Sequence, residues 1–363
     1  MKRKFTLTSR DLSSIIINLI AAKMLFTYPR YLVQKCENAA WIPILIFGAA
    51  AFGIYYLTQR LYAKTGRTSI LSQAEALGGK WLKALVGIVL IIILFADISP
   101  MIRACPEAVK TALLQNSNML MIVFVLAIGI FAGTYNGIEA LGKAAALFLP
   151  VAGIFMFGFF LMLIPSYDFN NLFPISITGS IVKGSSALSV FSDIIVINIL
   201  LPYCEDSSTM KKAGLSAIVI GGIVGFLITF AYCLVYPYPV SSSFIVPMYQ
   251  LARMVNIGTF FQRLEAAFEF VWTISSMFYA SVYLFVICEI FRRCFNLKNY
   301  RPLIFPMLII LIRIVFTRQN YSETLRDAFN NMSMIYPVLY ILPLIIGLAY
   351  MIKMNKQERR QKK

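Results

Sequence analysis

Histidine is missing from all 363 residues. That one absence excludes a Ser-His-Asp triad, a histidine-held zinc and a histidine proton switch. Charge is also scarce: 13% of residues are charged, where a soluble domain carries about 25%. Acids are scarcer still, 16 against 33 Lys and Arg, for a net charge of +17. The six cysteines form no C-x-x-C and show no metal-ligand spacing. Gly221-Gly222-Ile-Val-Gly225 lacks the Lys-Ser/Thr that completes a phosphate-binding loop, so close helix contact is the better reading of that stripe. No basic tract interleaved with aromatics is present, so no nucleic-acid partner is expected. With no catalytic constellation in view, neither an enzyme nor a cofactor or metal is expected.

What the chain has in abundance is apolar sequence, 59% of its residues. A chain of this length cannot bury three-fifths of itself in its own core, which makes lipid the expected solvent. Runs long enough to cross a bilayer, about 20 residues each, lie near 12–29, 39–58, 84–102, 118–133, 144–164, 185–203, 214–236, 264–291, 303–317 and 335–352. No cleavable leader is expected at the start, because Lys23 interrupts the first run. Ten spans sort the cations by side: 22 of the 33 fall in one set of alternate loops and termini. The positive-inside rule then places both termini in the cytoplasm. The basic tail 353–363 is suited to anionic lipid headgroups or to solvent.

Ionisable groups inside a span are costly and mark candidate sites. Lys23 lies mid-way in the first span, in Ala21-Ala22-Lys23-Met24, and Asp193 mid-way in the sixth, in Phe191-Ser192-Asp193. They stand five spans apart, which divides the chain into halves of five inserted in opposite senses, and interrupted segments at matching positions point to a midplane site. The competing readings are a snorkelling Lys23 and an Asp193 that serves only helix contact. Asp97 in the third span is placed either near the site or at its outer mouth. In the eighth span Glu265, Glu269, Trp272 and Ser276 share one helical face, with Thr273 beside it. That face lines either a cavity or a helix seam.

Several landmarks recur in a known order. Thr8-Ser-Arg-Asp11 leads into a first span ending Tyr28-Pro29; Ala40-Trp41-Ile42 opens the second; Arg103 follows the third. Asn136-Gly137-Ile-Glu139 with Lys143 precedes the fifth, Leu201-Pro202-Tyr203 closes the sixth, and Arg263-Leu-Glu265 through Trp272 and Ser275-Ser276 opens the eighth. In these the chain resembles the B subunits of bacterial spore nutrient-germinant receptors, the GerAB-type endospore germination permeases of the amino acid–polyamine–organocation superfamily. The family usually has glycines at the break of its first span, where this chain reads Ala21-Ala22-Lys23.

The resemblance implies an all-α polytopic membrane protein: ten transmembrane helices in a LeuT-like 5+5 inverted repeat, with helices 1 and 6 broken. One permease-like domain would fill residues 1–363, with inverted halves near 1–165 and 166–352. It implies the inner membrane of the dormant spore, and a small nutrient such as an amino acid bound among the first, third, sixth and eighth spans. Candidate ligand-binding residues are then Ala21, Ala22, Lys23, Met24, Asp97, Phe191, Ser192, Asp193, Trp272, Thr273 and Ser276. Implied partners are the receptor's A and C subunits. The alternative expectations are a proton-coupled amino-acid transporter and a ligand-free scaffold.

Overall fold

A computed structural model describes residues 7–65, 69–204, 207–244, 246–255, 264–316 and 321–361, with backbone alone over 321–335. Arg263 of the landmarks, and Lys2, Arg3, Lys4, Arg67, Arg318, Lys362 and Lys363 of the cation count, therefore lie outside the described residues. Helix accounts for every long element: α1 (Ser9–Leu25), α2 (Tyr28–Cys36), α3 (Ile42–Lys64), α4 (Ile70–Ala112), α5 (Met119–Asn136), α6 (Ile138–Leu163) and α7 (Ile177–Lys183). The chain continues through α8 (Ile195–Leu200), α9 (Ser207–Val235), α10 (Val240–Ser243), α11 (Pro247–Met254), α12 (Leu264–Cys294), α13 (Arg301–Phe316) and α14 (Tyr321–Gln361). A helix covers each of the ten apolar runs. By length and composition, eight helical stretches among the described residues can cross a bilayer, and the bent pair of α1 and α2 makes a ninth. At 16 residues, α13 falls short of the ~20 needed, so a count of ten is not reached.

Burial is reversed relative to a soluble protein. The peripheral helices α5 and α6 turn Phe124, Leu147, Ile154 and Phe157 outward, whereas Lys23, Asp97, Asp193, Glu269 and Glu289 are buried. Only a lipid surround makes exposed apolar faces favourable on this scale. The packing is also two-fold in pattern. α1 packs on α9 as the sixth span packs on α3; α1 meets α6 as the sixth span meets α14; α5 meets α12 as α13 meets α4. Exchanging each span for the one five places on leaves these neighbours unchanged, as a 5+5 repeat requires.

Both spans named as broken are interrupted, the first at a different residue from the one expected. Ala21, Ala22 and Lys23 continue as helix, since alanine is the strongest helix former; α1 stops only at Leu25. Pro29 supplies the reason. It has no N–H to give the Leu25 carbonyl, and its ring excludes a helical turn there, so the chain leaves the axis at Phe26–Thr27 and resumes as α2, bent by 59°. The Thr8 landmark proves to be a cap: its Oγ1 accepts from Asp11 N at 3.2 Å, and Asp11 Oδ2 accepts from Thr8 N at 3.2 Å. The sixth span is α7, then a 3-10 helix over Gly184–Ile194, then α8. Side chains three apart eclipse in such a helix. Ser189 Oγ donates to the Ser186 carbonyl at 2.5 Å and Ser192 Oγ to the Ser189 carbonyl at 2.7 Å, so serines every third residue line the segment. Eleven residues is long for a 3-10 run and marks a hinge.

The ends of the two broken spans that lie on the side of the N-terminus are fastened. Leu7 N donates to the Tyr203 carbonyl at 2.7 Å, joining the start of the first to the end of the sixth. Buried Glu289 on α12 takes Arg292 Nε at 2.7 Å and Arg293 Nε at 2.6 Å, and Arg293 donates onward to the Ile199 carbonyl of α8 at 2.9 Å. The glycine stripe of α9 lies against α1. A methyl built at Gly221 would stand 2.9 Å from Ile20, and one at Gly225 would stand 3.2 Å from Met24. Gly221→Val is therefore expected to lower stability by ~1–3 kcal/mol through overpacking, read as a drop in the thermal midpoint of the purified chain. A midpoint equal to wild type would show that α1 and α9 separate without cost.

Candidate functional site

Lys23 stands in the last turn of α1, where a cation complements the carbonyl end of the helix. Its Nζ lies 2.9 Å from Asp97 Oδ2 on α4, 3.0 Å from Asp193 Oδ1 at the end of the 3-10 segment and 3.3 Å from Ser192 Oγ. Lys23 and Asp193, which stand at matching positions of the first and sixth spans, pair directly, with Asp97 as third member. Asp97 thus belongs to the cluster, and not to an outer mouth. Tyr283 OH from α12 touches both carboxylates, at 2.5 Å from Asp97 Oδ2 and in close contact with Asp193 Oδ1. A hydroxyl carries one proton, so it can donate to only one of them at a time. Tyr336 OH from α14 donates to Asp97 Oδ1 at 3.2 Å. The rings of Tyr279 and Tyr336 lie 5.9 and 5.7 Å from the ammonium, within cation–π range. Tyr28, on α2 just past the break, bonds Tyr336 OH at 3.2 Å and also Ser189 Oγ of the 3-10 segment.

Two features give this cluster its character. One ammonium faces two carboxyl groups, and Asp193 Oδ2 is buried with no hydrogen-bond partner. The groups also come from both interrupted spans and from the third, eighth and tenth, so movement at either break changes the cluster. Retaining three buried charges is expensive and weak as a source of stability. The arrangement holds a primary amine between two acids.

The other sequence candidates divide. Ser192 and Asp193 are in the cluster, and Ala21 and Ala22 belong to the turn of α1 that ends beneath it. Met24 faces Gly225 of α9, and Phe191 lies between Gly48 of α3 and Gly222 of α9. Both fill helix seams, because a side chain next to a polar residue along a helix points to a different face. Trp272, Thr273 and Ser276 gather higher on α12 with Glu269 and Cys105; Trp272 stacks on Phe26 at 5.5 Å, and Ser276 Oγ lies 3.6 Å from Met101 Sδ. Sequence reasoning missed Tyr279 and Tyr283, although they continue the face of 269, 272 and 276 by the same helical step. It also missed Tyr28 and Tyr336, which carry no signal as isolated tyrosines in apolar runs. Among the described residues, no three His, Cys, Asp or Glu side chains converge as a metal site would require.

Comparison with known proteins agrees with this architecture. The chain is 24% identical to spore germination protein KB of Bacillus subtilis over 334 residues, covering 89% of this chain and 88% of that one. It is 23% identical to spore germination protein A2 of the same organism over 350 residues, covering 92% of each. Among solved structures, a manganese transporter of Eremococcus coleocola, in complex with an aromatic bis-isothiourea compound, superposes with a TM-score of 0.59 at 12% identity, covering 93% of this chain and 78% of that one. At such identity the likeness speaks for the fold alone, a LeuT-like transporter bundle. The model of the spore permease family, described as spore germination protein, matches residues 6–324. On that match the chain is a multi-pass membrane protein belonging to the spore germination protein family.

Proposed function

We propose that the chain is the membrane subunit of a nutrient-germinant receptor, binding a small amine-bearing nutrient such as an amino acid and passing the signal to partner subunits of the A and C type. The observation that supports this most is the Lys23 ammonium held between Asp97 and Asp193 where the two interrupted spans meet. A site shaped for one primary amine accepts another. The ammonium of a nutrient competes with Lys23 for the acids and engages the free Asp193 Oδ2 as well. Displacement of Lys23 then loosens the tie between α1 and the 3-10 segment. A ligand shifts such an equilibrium only by binding the two states unequally, and the tethered amine supplies the difference, since it occupies the acids in one state and leaves them in the other.

In this reading the chain performs no catalysis, its termini face the cytoplasm of the dormant spore, and its membrane is the inner one. The purified full-length chain in lipid vesicles is expected to bind a labelled amino acid from a nutrient panel saturably, without accumulating it. Accumulation driven by an imposed proton gradient would instead establish a proton-coupled transporter. Absence of binding across the panel, with partner subunits still assembling, would leave only the scaffold.

A further inference from the structure

Glu269 lies on α12 about 15 Å along the axis from Tyr279, by helical rise, and so outside the Lys23 cluster. Its side chain is 0% exposed, and neither carboxyl oxygen has a hydrogen-bond partner. Trp272 Nε1 and Thr273 Oγ1, within the next turn, are buried without partners too. The small cavity of about 20 Å³ further along α12, lined by Met101, Val123, Ile130, Ser276, Met277 and Leu308, is mostly apolar and does not reach Glu269. The Cys105 thiol lies close enough to interact with Glu269, and Glu265, one turn before it, has a partner of its own.

The charged groups on the packed elements are committed or turned away. On α1, Lys23 serves Asp97 and Asp193; on α4, Arg103 pairs with Glu107 at 2.8 Å; on α6, Lys143 pairs with Glu139 at 2.7 Å. Arg253 on α11 and Arg301 and Arg313 on α13 are exposed, and α5 carries no charge. An ionised carboxylate without a partner costs far more in such an interior than a lost neutral hydrogen bond, and the group avoids that cost by taking a proton.

We propose that Glu269 is a proton-binding site, separate from the Lys23 cluster and gated by the Phe26–Trp272 stack. Phe26 sits at the break between α1 and α2, and its ring lies 5.5 Å from Trp272 with 11° between planes. Opening the break lifts the ring from Trp272, admits water to Glu269 and lets its proton leave; closing it requires the proton back. The carboxyl O–H bond breaks as a new O–H bond forms on water, giving carboxylate and hydronium, and closing reverses both changes. Proton occupancy is thereby tied to the same hinge that the Lys23 cluster closes.

Infrared spectra of the purified full-length chain in lipid test this without any functional readout. At neutral pH the wild-type minus Glu269→Gln difference is expected to contain a protonated-carboxyl stretch that shifts down in D2O. A difference spectrum lacking that band overturns the proposal. Glu269→Asp is expected to retain a band at a displaced position, which separates loss of the proton from loss of the fold. Phe26→Ala is expected to speed deuterium exchange of the band several-fold. An unchanged exchange rate overturns gating by the stack.

Discussion

Lys23→Met strands Asp97 and Asp193 beside one another with no cation and is expected to cost about 3–5 kcal/mol, the range for removing one partner from a buried ionic cluster. The methionine fills most of the lysine volume, so the loss reports charge and not a cavity. The thermal midpoint of the purified chain in lipid measures it. The triple variant Lys23→Met, Asp97→Asn, Asp193→Asn is expected to recover most of that loss, because neutral amides need no counter-ion. If Lys23→Met melts with wild type, the ammonium contributes nothing to the closed arrangement and the displacement mechanism falls. Addition of methylammonium to Lys23→Met supplies the missing cation in free form and is expected to raise the midpoint, whereas sodium chloride at the same concentration is not.

Asp193→Asn is expected to act in the opposite sense, sparing the fold and removing the response. Lys23 keeps Asp97 at 2.9 Å, so one ammonium is still matched by one carboxylate and the chain assembles with its partners. The oxygen proposed to engage the nutrient amine, Asp193 Oδ2, loses its charge. A hydrogen bond to a charged group is worth ~1.5–3 kcal/mol, so the nutrient concentration for half-maximal response should rise by roughly 10- to 100-fold. The comparison to make is dose–response in spores carrying equal amounts of assembled receptor. An unshifted curve would falsify the amine site, and loss of assembly would assign Asp193 to the scaffold alone.

The fold was legible because its solvent is lipid: runs of about twenty apolar residues and a lopsided cation count are written directly into the sequence. Lys23 and Asp193 were legible for the same reason, being charges where charges are costly. The resemblance implies a break at Ala21 and Ala22, but these are good helix formers, and Pro29 enforces the break through the Leu25 carbonyl instead. Trp272, Thr273 and Ser276 were grouped with Lys23 because the resemblance implies a ligand among the first, third, sixth and eighth spans, and a sequence does not show at which height of α12 that ligand would lie. Tyr336 was beyond reach, because its role depends on how α14 crosses α4, and packing of that kind leaves no periodic trace in sequence.

The fastenings of the interrupted spans are unequal at their two ends. On the side of the chain termini, the Leu7–Tyr203 bond and the Glu289–Arg293–Ile199 link join the first, sixth and eighth spans into one block. On the opposite side, α2 is held by Arg30 and Gln34 donating to the Ser242 carbonyl, each at 3.1 Å, by Cys36 Sγ against the Ser180 carbonyl, and by Tyr28 OH on Ser189 and Tyr336, with no ion pair among these ties. A force applied at α2 is therefore expected to act on a flap tied to the site through Tyr28 and mounted on an ion-paired base. Cross-linking α2 to α10 would lock the protein in one state while leaving the base untouched, and cross-linking within the base would leave the flap free to swing.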